Sequence, residues 1–448
     1  MPVPSRTGTI LASVGSTSGN LIRRASYGPN SPVVGDRGVR TRQAILDAAM
    51  ETFRTEGLHA PSVDDIAEAA GVSRATLYQY FESKDQVFVE LTRVAAGDLL
   101  GVMGRPADLG PNAQGYDSLS RWLAEWARVQ DQYKTLYLQW TVIDFPQTAL
   151  QPPMADYIVD YVSSVTAWLG PAVGDDVDVD GTATVLLALL FRVNDYRERG
   201  INRGLGDAEL LAAVATFVQF VLFPATPPAV IPASGAGVRP VTRERRRSAQ
   251  PKARPGDPQE PSATVRRILD AAAATFAVRG YHETSVQDVL EAAGAGRATF
   301  YRHFGDKADL LVRLSRDCMA RLVEQVDRFP GAIGGDGALR PWIEESLALH
   351  RRWRGVFRAL LQERTRHPVL EELRAASLEA IFRTFDDALA GVERSYYFDA
   401  RAGSLILLSL LERGPDYTFG TPYDLDDQRI VDILAALIER GLLGRVPR

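Results

Sequence analysis

The segment SVDDIAEAAGVSRATLYQYFESK at residues 62–84 returns as SVQDVLEAAGAGRATFYRHFGDK at residues 285–307. Of the 23 aligned positions 13 are identical, without a gap, at a constant offset of 223 residues. Upstream, Ile45, Phe53 and Gly57 recur as Ile268, Phe276 and Gly280. Solenoid repeats have periods of roughly 20–50 residues, so a spacing this long marks duplication of a whole domain. Any fold for the chain must therefore contain two copies of one unit.

Each copy reads as a helix-turn-helix. Ser62 is a favoured N-cap for a short helix running through Ile66, Ala67 and Ala70. Gly71 then lets a tight turn reverse the chain. Ser73 caps a second helix predicted over Arg74 to Phe81. Leu77 and Phe81, four apart, fall on its buried face. Arg74 and Tyr78 share another face, with Ala75 and Gln79 beside it. An exposed, donor-rich helix with a small residue near its start suits a major groove, where its first residues approach base edges.

AGVSRATLYQYFESK and AGAGRATFYRHFGDK resemble the signature of the TetR family of bacterial one-component repressors. Two such units in one chain resemble the tandem TetR regulators of actinobacteria. The resemblance is strong over 41–91 and 264–314, and elsewhere rests on helical pattern and length. It implies that Arg74, Ala75 and Gln79 face bases, as do Arg297, Ala298 and Arg302. It implies that Thr76, Tyr78, Tyr80 and Lys84 hold phosphates, as do Thr299, Tyr301, His303 and Lys307. Ser62 and Ser285 complete the expected DNA-binding set. Two departures stand in the second copy: Leu290 replaces Ala67, and Gly296 replaces the capping Ser73.

A net charge of −5 is unexpected for a DNA-binding chain until it is partitioned. Residues 1–40 carry five Arg and one Asp, a sum of +4. Residues 226–263 carry six Arg, one Lys and three acids, again +4, so the remainder sums to −13. Positive charge thus leads into each helix-turn-helix, and for phosphate binding that distribution matters more than the total. Residues 1–40, rich in Gly, Ser, Pro and Arg, read as a disordered basic arm whose Arg37, Arg40 and Arg42 reach phosphates or the minor groove. Residues 226–261, rich in Pro, Gly and charge, read as a flexible basic linker.

The rest reads as all-helical, giving an all-α chain of two TetR-like units. The first helix-turn-helix domain spans 41–91 and its helical ligand and dimerisation domain 92–225. The second pair spans 262–314 and 315–448. Helices are expected at 85–103, 182–199, 206–223, 265–279, 308–328, 337–353, 355–365, 368–390, 400–413 and 425–443, and GAIGGDG at 331–337 as a loop. TetR proteins dimerise through their last two helices, so the resemblance implies that 182–199 and 206–223 pack on 400–413 and 425–443 as an intrachain pseudo-dimer.

Trp122, Trp126, Trp140, Tyr157 and Tyr161 fall on helices of the first ligand domain, and Arg192 and Asn194 follow a greasy run. As a group they are candidates for binding a small apolar or aromatic effector. Each aromatic is also ordinary core material. No cofactor, metal or catalytic constellation is expected: the five histidines lack metal-ligand spacing, and no phosphate-binding glycine loop or nucleophile elbow occurs. The single cysteine, Cys318, fits a reducing cytoplasm, and no apolar run reaches the ~20 residues of a membrane span. The expected function is ligand-responsive transcriptional regulation, most often repression, on a double-stranded operator. The rival reading is a ligand sensor or interaction module whose DNA binding has decayed.

Overall fold

The computed structural model describes residues 36–57, 60–103, 108–140, 151–174, 177–232, 262–335, 337–361, 367–418 and 425–445. Among them every long element is helical and no strand occurs. The chain divides into two compact units, residues 1–99 with 131–154, and residues 100–130 with 155–448.

In the first unit, α1 (Asp36–Glu56), α2 (Val63–Ala69), α3 (Arg74–Tyr78) and α4 (Lys84–Val102) enclose a small core. Ile45, Leu46, Ala49 and Phe53 form the buried stripe of α1, and Ile66, Leu77, Phe81 and Phe88 are buried as well. Phe53 packs edge-on to Phe88 at 6.2 Å between ring centres. α6 (Lys134–Trp140) belongs to this unit, where the Tyr137 hydroxyl donates to the Ala95 carbonyl at 3.3 Å.

α1 starts five residues earlier than the pattern predicted, inside the expected arm. There the Thr41 hydroxyl bonds back to the Arg37 carbonyl at 2.9 Å. Arg42 does not reach outward as an arm residue. It lies over the Phe81 ring and pairs with Glu90 of α4. The remainder of the arm lies outside the described residues, as does 233–261 of the linker. Residues 226–232 depart from the flexible reading: Thr226 is buried and accepts from the Gln219 amide at 3.0 Å.

In the second unit, α10 (Ala263–Arg279), α11 (Val286–Ala293), α12 (Arg297–His303) and α13 (Lys307–Asp327) repeat the first plan. Their core of Ile268, Phe276, Leu290, Phe300 and Leu310 continues into α15 (Leu339–Leu361) and α16 (Pro368–Ala390) through Trp353, Val356 and Leu370. The predicted break near residue 354 is absent. Gly355 lies inside α15, where a Cβ would come within 2.3 Å of the Ala277 backbone nitrogen. This glycine permits close helix approach and is not a helix stop. The predicted loop at 331–337 instead begins as the short helix α14 (Phe329–Gly334), anchored by buried Phe329 and Ile333.

Also within this unit, α8 (Val179–Glu198) packs along α17 (Ala400–Thr418), and α9 (Asp207–Leu222) meets the π turn Ile438–Leu442 that extends α18 (Asp427–Leu437). Thr182 to Leu190 of α8 are buried without a break. Phe220 stacks flat on Tyr396 at 3.6 Å between ring centres. At Gly441 a Cβ would fall 2.4 Å from the Phe217 ring, so glycine is what lets the π turn reach α9. Charged contacts frame this packing. The Arg429 guanidinium grips Asp178, the N-cap of α8, and draws that carboxyl below its usual range. Arg203 pairs with Asp386 while lying over Phe382.

Candidate nucleic-acid interface

Both bihelical motifs are built from the same local devices. At the start of α2 the Asp65 amide donates to the Ser62 hydroxyl at 3.2 Å, and the Ser62 amide donates to Asp65 at 2.7 Å. At the start of α11 the corresponding distances for Asp288 and Ser285 are 3.1 and 2.8 Å. Each reciprocal cap satisfies two backbone donors that the helix leaves unpaired. Ser62 and Ser285 also give their hydroxyl protons to those same carboxylates. In the chain without DNA, these hydroxyls take part in capping. The turns follow at Gly71 and Gly294, with φ of 65° and 58°, where a side chain would be strained.

The second helices differ in extent. α3 stops at Tyr78 rather than continuing to Phe81, and its end tightens into bonds from Gln79 to Thr76 and from Tyr80 to Leu77. Phe81 is still buried beside Leu77. α12 runs a full seven residues, to His303. Ser73 caps α3 by accepting from the Thr76 amide at 3.1 Å and bonds the Thr76 hydroxyl at 2.8 Å. Gly296 supplies no side-chain cap.

Arg74, Ala75 and Tyr78 are exposed on α3, while Thr76, Gln79 and Tyr80 are half-buried. Arg297, Ala298, Tyr301, Arg302 and His303 are exposed on α12, and Thr299 is half-buried. Tyr78 and Tyr301 are among the few large apolar side chains left in solvent, at 39% and 60% exposure. Packing therefore does not explain them.

Lys84 and Lys307 turn inward. The Lys84 ammonium donates to the Pro61 carbonyl at 2.9 Å. Lys307 donates to the Tyr281 and Thr284 carbonyls at 2.9 and 2.8 Å and lies over the Tyr281 ring. Burial draws Lys307 below the usual lysine range. In the chain without DNA, these lysines stitch the start of α4 or α13 to the loop before α2 or α11.

Sequence reasoning passed over two further residues. Arg74 donates from Nη1 to Asp64 at 2.6 Å and from Nη2 to the Tyr78 hydroxyl at 3.5 Å. In the second copy Gln287 stands where Asp64 stands, and Arg297 donates from Nε to its Oε1 at 3.1 Å. The signal lay in the repeat alignment, at one of its ten mismatches.

The expected effector residues fare unevenly. Trp122 donates to the Val102 carbonyl at 3.0 Å and packs edge-on to Trp168 at 5.8 Å. Trp126 packs edge-on to Phe191 at 5.7 Å, and Tyr157 adjoins Tyr161 at 6.2 Å. Asn194 donates to Gln130 of α5 (Ala113–Gln132) at 3.4 Å. Trp140 lies on α6, but its side chain is outside the described set. Arg192 is 4% exposed and locked to Asp195, Tyr196 and Glu412, so the greasy run ends in an ion pair between helices. Among the described residues Trp126 Nε1, Trp168 Nε1 and Gln130 Nε2 are buried donors without a hydrogen-bond partner.

The family model of bacterial regulatory proteins of the tetR family matches residues 45–91 and 268–314. A transcriptional repressor of Rhodococcus jostii, KstR2, is 40% identical over 73 residues, which is 16% of this chain and 35% of that protein. The Escherichia coli regulator RutR is 42% identical over 52 residues, 12% of this chain and 24% of its own length. The chain thus covers about a third or less of these two relatives. Among solved structures, the fatty acid degradation regulator FadR of Bacillus halodurans aligns with a TM-score of 0.33 at 18% identity, over 40% of this chain and 97% of that one. No helix among the described residues is long and apolar enough to cross a membrane.

Proposed function

Starting from a chain that carries two tandem TetR-like units, we propose that it is a ligand-responsive DNA-binding regulator of transcription, acting as a repressor in the bacterial cytoplasm. One observation carries the reading. Two capped, glycine-turned motifs each present an outward Arg-Ala-Thr-x-Tyr helix whose Arg and Tyr are exposed without a packing reason. Arg74, Ala75 and Gln79, with Arg297, Ala298 and Arg302, are the base-facing set. Thr76, Tyr78 and Tyr80, with Thr299, Tyr301 and His303, are the phosphate set. A mobility shift with the DNA upstream of the chain's own gene tests this; no shift at low salt overturns it in favour of a sensor without DNA function.

The packing of α8 and α9 on α17 and the π turn supports an intrachain pseudo-dimer, in which each half covers the surface a TetR homodimer would share. Light scattering at micromolar concentration should then give about the chain mass of 49.1 kDa. A tight dimer that persists on dilution overturns the pairing.

The effector reading rests on the aromatic helices α5 and α7 (Gln151–Leu169) with α8. Unpartnered N–H groups on Trp126, Trp168 and Gln130 favour an apolar or aromatic molecule that carries acceptor oxygens, because a buried donor without a partner costs free energy that such a ligand would recover. Mass spectrometry of co-purified small molecules tests this class directly.

A further inference from the structure

The two recognition arginines occupy identical positions in their repeats, yet their surroundings differ in charge and in which nitrogens are used. Arg74 commits both terminal amino groups to its own chain, Nη1 to the Asp64 carboxylate at 2.6 Å and Nη2 to the Tyr78 hydroxyl at 3.5 Å. The Arg74 and Asp64 side chains are about equally exposed, at 60% and 55%, so the pair forms on the outer face of the motif. Arg297 instead donates through Nε to the neutral amide of Gln287 at 3.1 Å. Among the described residues neither of its terminal amino groups has a partner.

That difference decides what each arginine can read. Bidentate recognition of guanine needs two N–H groups of the fork aimed at O6 and N7. Gln287 holds the inner edge of Arg297 and leaves the outer fork open, with its charge intact. Asp64 holds the fork of Arg74 and cancels the charge, and as a carboxylate on the DNA-facing side it also repels phosphates. An exposed ion pair is weak enough to open, but opening it is a cost the second copy does not bear.

We propose that Asp64 is an affinity- and specificity-setting residue that masks Arg74, so that the second recognition helix, with Gln287 behind Arg297, dominates operator binding. The proposal rests on the DNA-binding reading given above. It places the stronger helix in the copy that carries the two departures, Leu290 and Gly296. The loss of the Ser73-type cap is structural and local, whereas the carboxylate acts where DNA is met.

The test uses the full-length chain and double-stranded DNA with a fully randomised core, from which wild type selects its sites. The selected duplex is then titrated with wild type, Asp64→Gln and Gln287→Asp over a range of salt concentrations. Neither position takes part in the Ser62–Asp65 or Ser285–Asp288 caps, and circular dichroism checks that both variants fold. Asp64→Gln should tighten binding about 2- to 5-fold at low salt. It should also steepen the slope of log affinity against log salt by about 0.9, the change expected for one more effective cation. Gln287→Asp should do the reverse, and Asp64→Gln should sharpen guanine preference in one half-site only. These opposite signs cannot come from a general loss of stability. If wild type selects a site and Asp64→Gln leaves affinity and salt slope unmoved, or weakens binding, the masking role falls while the regulator reading stands. If wild type selects nothing, the regulator reading falls and the masking role with it.

Discussion

The Nε–H of Arg192 on α8 donates to Glu412 on α17 at 2.8 Å, across 220 residues of sequence. Tyr196 adds its hydroxyl to the same carboxylate at 2.7 Å, and Asp195 balances the charge from within α8. A guanidinium only 4% exposed has no water to fall back on, so its partners decide whether the two helices can stay in register.

Removing one member of this cluster should cost more than removing the pair. Glu412→Ala leaves Arg192 buried beside Asp195 alone and should lower stability by about 3 kcal/mol. Arg192→Leu combined with Glu412→Leu should cost less than the sum of the single changes. Urea unfolding of the single and double variants measures the coupling. Strict additivity would mean that the cluster does not act as a unit.

Gly355→Ala should destabilise by about 1–3 kcal/mol, the range for forcing a methyl into a filled contact. Its Cβ would meet backbone atoms of α10, which cannot rotate away as a side chain can. Gly331→Ala, in α14 with nothing within 4 Å of the new carbon, is the control and should be neutral or slightly stabilising. Thermal melts of the two variants should separate clearly.

Acid should loosen the caps of α2 and α11 and the α8 cap held by Arg429 together. Hydrogen bonds from Ser62 lower the Asp65 carboxyl, those from Ser285 lower Asp288, and those from Arg429 lower Asp178. A carboxylate held below its unfolded value contributes stability that is present above about pH 4 and is lost as pH falls through the lowered folded value. Helical circular dichroism titrated downward from neutral pH should hold until about pH 4 and fall below it. Loss of helicity above pH 5 would contradict this assignment.

Operator symmetry should follow the recognition helices. Gln79 sits at the C-cap of α3 and Arg302 in the last turn of α12. Glutamine pairs best with adenine and arginine with guanine, so the two half-sites should differ there, by about 1–3 kcal/mol of discrimination at each contact. Selection from a randomised operator library with Arg302→Gln should return a more symmetric site. Unchanged sequences would place both side chains on phosphates instead.

Local chemistry fixed much of this protein from its residues alone. The Ser62–Asp65 and Ser285–Asp288 caps, the turns at Gly71 and Gly294, and the buried Leu77 and Phe300 all lie within a few residues of their partners. Short-range rules are enough to find such features. What the sequence could not reveal was which distant group each charged side chain meets. Glu412, which meets Arg192, is 220 residues away, and the carbonyls that Lys307 binds carry no side-chain signal. The reason for Gly355 is likewise out of reach of local rules, because it is the Ala277 backbone of another helix. A charge or a glycine is compatible with several environments at similar cost until burial removes water. The tertiary structure alone decides which environment that is, because only packing sets which groups are left to replace the solvent.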